Sequence, residues 1–320
     1  MLTTRIDLTI VIDVQTHGEE IATAAIAASA DRRWPSRERL SGTGGRRASR
    51  SGRRVPRSWT FCRICSSLAS HTIQWHDMRS ADRIASYNRE RWDALADADA
   101  LFGRLYLDLD AATAIEKIDP EHRLGELDGK RVPCLAGGGG RQSVAFAILG
   151  ASVTVLDVSS RMLQRGRVAA ADYQLSIETM QGDMRDLSLF GPASFNIVWQ
   201  PYSLNFVPDV RAVFRQVARI IRPDSLYYLM VANPFTIGLP TYDWTGTGYL
   251  LKEPYIDGAE INHRDEPWVY SREVAGTSIQ GPKEFHHALS TVVNGLIERG
   301  FVLNHVSEHT HDISDAVPGS

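Results

Sequence analysis

From residue 131 onward, short apolar runs alternate with stretches in which apolar residues recur every three or four positions, the two periods of strands and amphipathic helices. The pattern predicts a first strand over 131–136 and a helix from Arg141 to Leu149, closed by Gly150. A second strand follows at 152–157. Ser159 or Ser160 caps the next helix, which carries Met162, Leu163 and Val168. Further strands are expected over 176–180 and 195–199. Asp209 then caps the clearest helix, with Val210, Val213, Phe214, Val217, Ile220 and Ile221 on one face and Arg222-Pro223 as its stop. A strand over 226–232, a late helix from Glu284 to Arg299 ended by Gly300, and a sixth strand over 301–306 complete the series. Repeated strand–helix units with right-handed crossovers make an α/β, doubly wound, mostly parallel sheet.

Three segments depart from this rhythm. Ile84, Tyr87, Trp92, Leu95 and Leu101 suggest one or two amphipathic helices before the sheet, and 102–128 reads as a connection ending in the turn Leu127-Asp128-Gly129-Lys130. Residues 236–284 hold Tyr242, Trp244, Tyr249, Tyr255, Trp268 and Tyr270 with a hairpin signal at Asp257-Gly258, the marks of a β-hairpin or lid insertion. Residues 1–77 read as a disordered, Arg-rich segment outside the domain. Between 31 and 63, eleven arginines stand against Asp31 and Glu38, with almost no aliphatic periodicity. A basic tail and a presequence are weighed against upstream sequence foreign to the domain. The last is preferred, with Met78 as the expected start and the domain spanning 78–320.

Composition changes little in this picture. With 43% hydrophobic and 23% charged residues the chain is an ordinary globular one, and a net charge of -3 gives no case for nucleic acid. No run reaches the ~18–20 apolar residues of a membrane span, so no membrane partner is expected. Three cysteines are too few for a disulfide framework and fit a reducing, cytoplasmic setting. Cys62-Arg63-Ile64-Cys65 lacks a second ligand pair, so no metal site is expected.

The chemistry concentrates in Val132-Pro133-Cys134-Leu135-Ala136-Gly137-Gly138-Gly139-Gly140 and, one unit later, Val153-Thr154-Val155-Leu156-Asp157. A strand breaking into glycines and a second strand ending on an acid build a nucleotide pocket in a parallel sheet. Glycine admits both the positive-φ turn and the close approach of backbone to ligand.

In this order of motifs, residues 81–320 resemble the class I S-adenosylmethionine-dependent methyltransferases, with a Rossmann-like sheet. The glycine motif keeps Gly138 and Gly140, while Cys134 replaces the acid and Ala136 the first glycine. Asp157-Val158-Ser159-Ser160 matches the second motif, Gly182-Asp183-Met184 the third, Phe195-Asn196-Ile197-Val198 the fourth and Ile221-Arg222-Pro223-Asp224-Ser225 the fifth. The resemblance implies S-adenosyl-L-methionine as cofactor, held by Ala136, Gly138, Gly140, Asp157, Val158, Asp183, Met184 and Gln200. Asp157 would accept from the ribose hydroxyls and Asp183 from the adenine amino group. The backbone N–H of Arg141 or Gln142 would face the donor carboxylate. It further implies methyl transfer to a small-molecule acceptor, with Gln200, Tyr202 and Asn205 as candidates for the acceptor floor or catalysis, and Asn233-Pro234-Phe235 beside them. For Tyr87, Asn88 and Trp92, covering the donor pocket stands against ordinary helix packing, and packing is preferred; His286-His287 is read as a solvated helix turn.

Three alternatives stand beside this resemblance. An NAD(P)-binding oxidoreductase would place its third glycine at Ser143, and a P-loop is excluded by the missing Gly-Lys-Ser/Thr. An inactive or truncated methyltransferase-like protein is suggested by the foreign N-terminal segment, by Pro133 inside a strand, and by the lack of a seventh, antiparallel strand after residue 306.

Overall fold

The computed structural model describes residues 83–99, 108–235, 237, 247–248, 254–261 and 279–308, together with the backbone of 9–16. All belong to one unit made of residues 1–18 and 81–320. Its strands are β1 (Thr9–Thr16), β2 (Arg131–Leu135), β3 (Ser152–Asp157), β4 (Glu178–Gln181), β5 (Phe195–Gln200), β6 (Ile221–Ala232), β7 (Glu260–Ile261), β8 (Glu284–Phe285) and β9 (Phe301–Glu308). Its helices are α1 (83–97), α2 (Ala111–Ile118), α3 (Arg141–Ile148), α4 (Ser160–Asp172), α5 (Val210–Ile220) and α6 (Leu289–Ile297), with a 3₁₀ turn at Leu204–Phe206.

Seven strands form one sheet in the order β4-β3-β2-β5-β6-β1-β9. Strands β2 to β6 run parallel, and the period of two sends alternate side chains to opposite faces. Leu135, Leu156 and Val198 join one core with Val213, Phe214 and Val217 of α5 and Leu296 of α6. Cys134, Val155 and Trp199 join the other with Phe146 of α3 and Ala114 and Ile118 of α2. Asp209 caps α5 by accepting from the Arg211 and Ala212 N–H groups, and the five apolar residues on its inner face are buried. Each such side chain contributes about 1.5–3 kcal/mol relative to exposure. Gly295 lets α6 close on α5, since a Cβ there would lie 2.9 Å from the Phe214 ring.

Pro133 is accommodated in the central strand in a specific way. The Ala136 N–H donates to Leu156 O and the Arg131 N–H to Asn196 Oδ1, so even-numbered amides face β3 and odd-numbered ones β5. The donor missing at Pro133 therefore faces β5. On that edge the registered pair is Cys134↔Trp199, whereas the β3 edge is paired from Arg131↔Ser152 to Leu135↔Leu156. A second proline, Pro223, lies in β6 where the register with β5 shifts between Phe195 and Ile197, and Asp224 takes φ +56°.

Four expectations are corrected. Thr9–Thr16 is not outside the domain: it pairs antiparallel with β6 (Thr9↔Ala232 to Gln15↔Leu226) and with β9 (Ile10↔Glu308 to Thr16↔Phe301). The antiparallel strand expected to be lacking is thus present, supplied from ahead of the other strands. The connection over 102–128 contains α2, set by a capping box in which Asp110 accepts from the Thr113 N–H and Thr113 Oγ1 accepts from the Asp110 N–H. Helix α6 begins at Leu289 because Glu284–Phe285 first pairs with Glu260–Ile261. Asp257-Gly258 forms a turn, with Gly258 at φ +77°, and Asp257 ties it to α6 by accepting from the Ala288 N–H and Thr291 Oγ1. Most of the 236–284 insertion, with Tyr242, Trp244, Tyr249, Trp268 and Tyr270, lies outside the described residues, as does 17–82.

Candidate functional site

The carboxyl ends of β2, β3, β4 and β5 frame a cleft of about 320 Å³, roofed by α1. After β2 the backbone turns through Ala136 (φ +51°), Gly139 (φ +80°) and Gly140 (φ +88°), the last serving as the N-cap of α3. Gly138 sits where no side chain fits: a Cβ would lie 2.5 Å from Met162 Cβ and 2.6 Å from Asp157 Oδ2. Its N–H donates to Asp157 Oδ2 at 2.9 Å, and the Ser159 N–H donates to Oδ1 at 2.8 Å. Asp157 is buried, which pushes its carboxyl up to about 6. The two N–H donors pull it back down, and the charge of Asp93 adds a smaller push upward.

Helix α1 is fastened to this motif. Asp93 Oδ1 accepts from Ser159 Oγ at 2.6 Å and from the Arg161 N–H at 3.1 Å, placing an anion at the N-terminus of α4. Asp97 and Asp99 pair with Arg161 and Arg165. Ile84, Ala85, Asn88 and Trp92 line the cleft from this helix, whereas Tyr87 turns to Gln280, its hydroxyl 3.4 Å from Gln280 Oε1. Asp93 was missed from sequence. The signal was present, since Asp93 and Asp97 stand four residues apart, as do Arg161 and Arg165.

Of the expected donor residues, Ala136, Gly138, Asp157, Val158, Asp183 and Met184 line the cleft together, with Arg141 and Gln142 at the start of α3. Gly140 shapes the turn rather than the wall. Asp183 is engaged by Arg185, whose Nε lies 3.0 Å from each carboxylate oxygen and whose N–H donates to Oδ1 at 2.8 Å. Arg185 also lines the cleft and was not singled out in the sequence.

The acceptor candidates separate. Tyr202 is on the wall. Gln200 is not: it is fully buried, its Oε1 accepts from the Tyr227 hydroxyl, and its Nε2 donates to Ser203 Oγ (3.2 Å) and Met184 Sδ (3.0 Å). Asn205 is buried too, accepting from the Ala232 N–H and donating to Phe285 O. Both are corrected to internal fasteners, because their polar groups are satisfied inside the domain. Pro234 O meets His286 Nε2 at 2.8 Å, and Asn233 binds Glu308 and the Phe235 N–H. His286 and His287 are buried rather than solvated, the latter 2.9 Å from Val207 O, and burial lowers the His287 imidazole.

A glycine turn pinned to an acid at the carboxyl edge of a doubly wound sheet makes a nucleotide-type pocket. The model of a methyltransferase domain matches residues 134–229, and the chain belongs to the class I S-adenosylmethionine-dependent methyltransferases. Among relatives, it is 30% identical over 188 residues to the uncharacterized methyltransferase YbaJ of Bacillus subtilis, covering 58% of this chain and 70% of that protein. It is 31% identical over 107 residues to a ubiquinone biosynthesis O-methyltransferase of Xanthomonas campestris, covering 33% of this chain and 45% of that enzyme's length. Among solved structures, an S-adenosylmethionine-dependent methyltransferase from Mesorhizobium loti aligns with a TM-score of 0.43 and 25% identity, over 62% of this chain and 85% of that one. The cofactor of the class is S-adenosylmethionine. Among the described residues no helix is long and apolar enough to cross a membrane, and no group of potential metal ligands occurs.

Proposed function

We propose that this chain transfers a methyl group from S-adenosylmethionine to a small-molecule acceptor, with Asp157 and Gly138 at the centre of the donor site. The observation that carries this reading is the buried carboxylate of Asp157 on the cleft wall, braced by two backbone N–H groups. The site fits the donor on its own geometry. Gly138 presents bare backbone to the cleft, while the side on which a Cβ would sit is filled by Met162 and Asp157. Asp157 is ready to accept from ribose hydroxyls, and a carboxylate acceptor makes a stronger hydrogen bond than a neutral one. Asp183 and Met184 would hold the base, and the first turn of α3 the donor's carboxylate.

When bound, S-adenosylmethionine supplies an activated methyl carbon on a sulfonium. The residues of the chain have to align the two reactants and exclude water, a proximity contribution of up to about 7–11 kcal/mol. Helix α1, fastened through Asp93, provides the roof that does so.

The test is calorimetry with S-adenosylhomocysteine beside NAD and NADP. Binding of S-adenosylhomocysteine that is lost in Asp157→Ala supports the reading. Binding of a nicotinamide cofactor instead would overturn it.

A further inference from the structure

The cleft changes character along the sheet. Among the described residues, the charged ones on its wall, Arg141, Asp157, Asp183 and Arg185, all lie toward the ends of β2, β3 and β4. Beyond the end of β5 the wall is made of rings. Trp92 meets Phe206 edge-to-face, with centroids 5.2 Å apart and planes at 90°. Tyr202 approaches Phe206 at 6.4 Å and 69°. Pro201, Ser203, Val207, Pro208 and Met230 complete this end.

The corner is held in shape from behind. Asn88 Nδ2 donates to Phe206 O at 3.1 Å, and its Oδ1 accepts from the Lys283 N–H at 2.7 Å. Leu95, buried to 1% exposure, packs with Trp92 and Phe206. Ring positions therefore do not have to be organised when a ligand arrives.

We propose that this three-ring corner is the acceptor subsite, and that it takes a flat, uncharged aromatic molecule with its nucleophilic oxygen or nitrogen on the ring. The proposal rests on the methyltransferase reading above. Ring walls favour another ring, in offset or edge-to-face contact, beyond the area that is buried. An anionic acceptor there would shed water without receiving a compensating partner from these rings, and a cationic one, although rings attract cations, would stand beside the donor's positive sulfonium. In the transfer, a lone pair of the ring heteroatom forms the new bond to the methyl carbon. The carbon–sulfur bond breaks with its electron pair left on sulfur, and the acceptor's proton passes to water.

The test uses the full chain with S-adenosylhomocysteine present and 1-naphthol as probe, followed by saturation-transfer NMR, with glycine and aspartate as polar comparators. The expected result is binding of 1-naphthol but of neither comparator. Trp92→Ala should weaken 1-naphthol about 10-fold and Trp92→Phe no more than about 3-fold, as loss and retention of a ring contact imply. S-adenosylhomocysteine affinity should move less than about 2-fold in both, which also reports that each variant is folded. Phe206→Leu serves as a second ring deletion. Undiminished 1-naphthol binding in Trp92→Ala and Phe206→Leu overturns the proposal, as does preference for glycine or aspartate. Failure of the unmodified chain to bind S-adenosylhomocysteine overturns the donor reading first, and the subsite with it.

Discussion

Gly138 and Asp157 are locked together: the glycine N–H donates to one carboxylate oxygen, and a Cβ on that glycine would lie 2.6 Å from the same atom. The turn after the first parallel strand and the acid after the second therefore form a single fitted part. Gly138→Ala forces Met162 and Asp157 apart, an overpacking cost of about 1–3 kcal/mol. We expect a lowered midpoint of thermal unfolding and loss of S-adenosylhomocysteine binding. Wild-type affinity in that variant would contradict the assignment.

Asp157 also makes the site pH-sensitive. Its carboxyl is raised to about 6 by burial, above its unfolded value. The group thus favours the folded state fully at pH below about 4, and that contribution, at most about 3 kcal/mol, is lost as pH rises through 6. Donor binding runs the other way, since the ribose hydroxyls need an ionised acceptor. Calorimetric affinity for S-adenosylhomocysteine should fall as pH drops from 7 to 5, and Asp157→Asn should flatten the profile.

Asp93 links the roof to the donor motif. Asp93→Ala removes its bonds from Ser159 Oγ and the Arg161 N–H, an interaction of about 1 kcal/mol at a helix N-terminus. Hydrogen exchange over 83–97 should quicken while exchange in β3 and β5 stays slow. Unchanged protection of 83–97 would mean that α1 is held by its other contacts, the Asp97–Arg161 pair and the Asn88 hydrogen bonds among them.

Ala136 occupies left-handed backbone at φ +51°, where a Cβ is unfavourable by about 1–2 kcal/mol. Ala136→Gly relieves this, partly offset by the greater unfolded-state freedom of glycine. The expected net gain is up to about 1 kcal/mol, seen as a higher urea midpoint with an unchanged slope.

Arg185 brackets the carboxylate of Asp183 from one side and fixes its plane. We expect Arg185→Ala to weaken S-adenosylhomocysteine about 3- to 10-fold, the scale of one ordinary hydrogen bond, because the guanidinium acts through Asp183. Unaltered affinity in the same titration would show that Asp183 is held by its neighbours without the guanidinium.

Sequence periodicity revealed the parallel strands and α5 because their burial is local and repetitive. Gln200 was misread for a reason of the same kind. Strand β5 runs one residue further than expected, and with a period of two a single step sends a side chain to the other face. Gln200 thereby meets Tyr227 in the core, while Tyr202, beyond the strand, reaches the cleft. The histidines were obscured because their partners, Pro234 and Val207, are distant backbone carbonyls that no composition records. Strand β1 was hidden for the plainest reason. Leu8 to Val14 looks like any short apolar run, and nothing local to it names the two strands between which it lies.

That strand bears on how the chain is made. Thr16 pairs with Phe301 and Ile10 with Glu308, so the first strand of the sheet in sequence order gains its second neighbour only after every other strand of that sheet has emerged. Contacts this far apart in sequence form slowly. Until they form, the open edge of β6 or β1 is a template for another chain. The vulnerable moment of this enzyme therefore falls in its biogenesis, and slowed translation or a chaperone that shields strand edges should raise its soluble yield more than any change at the donor site.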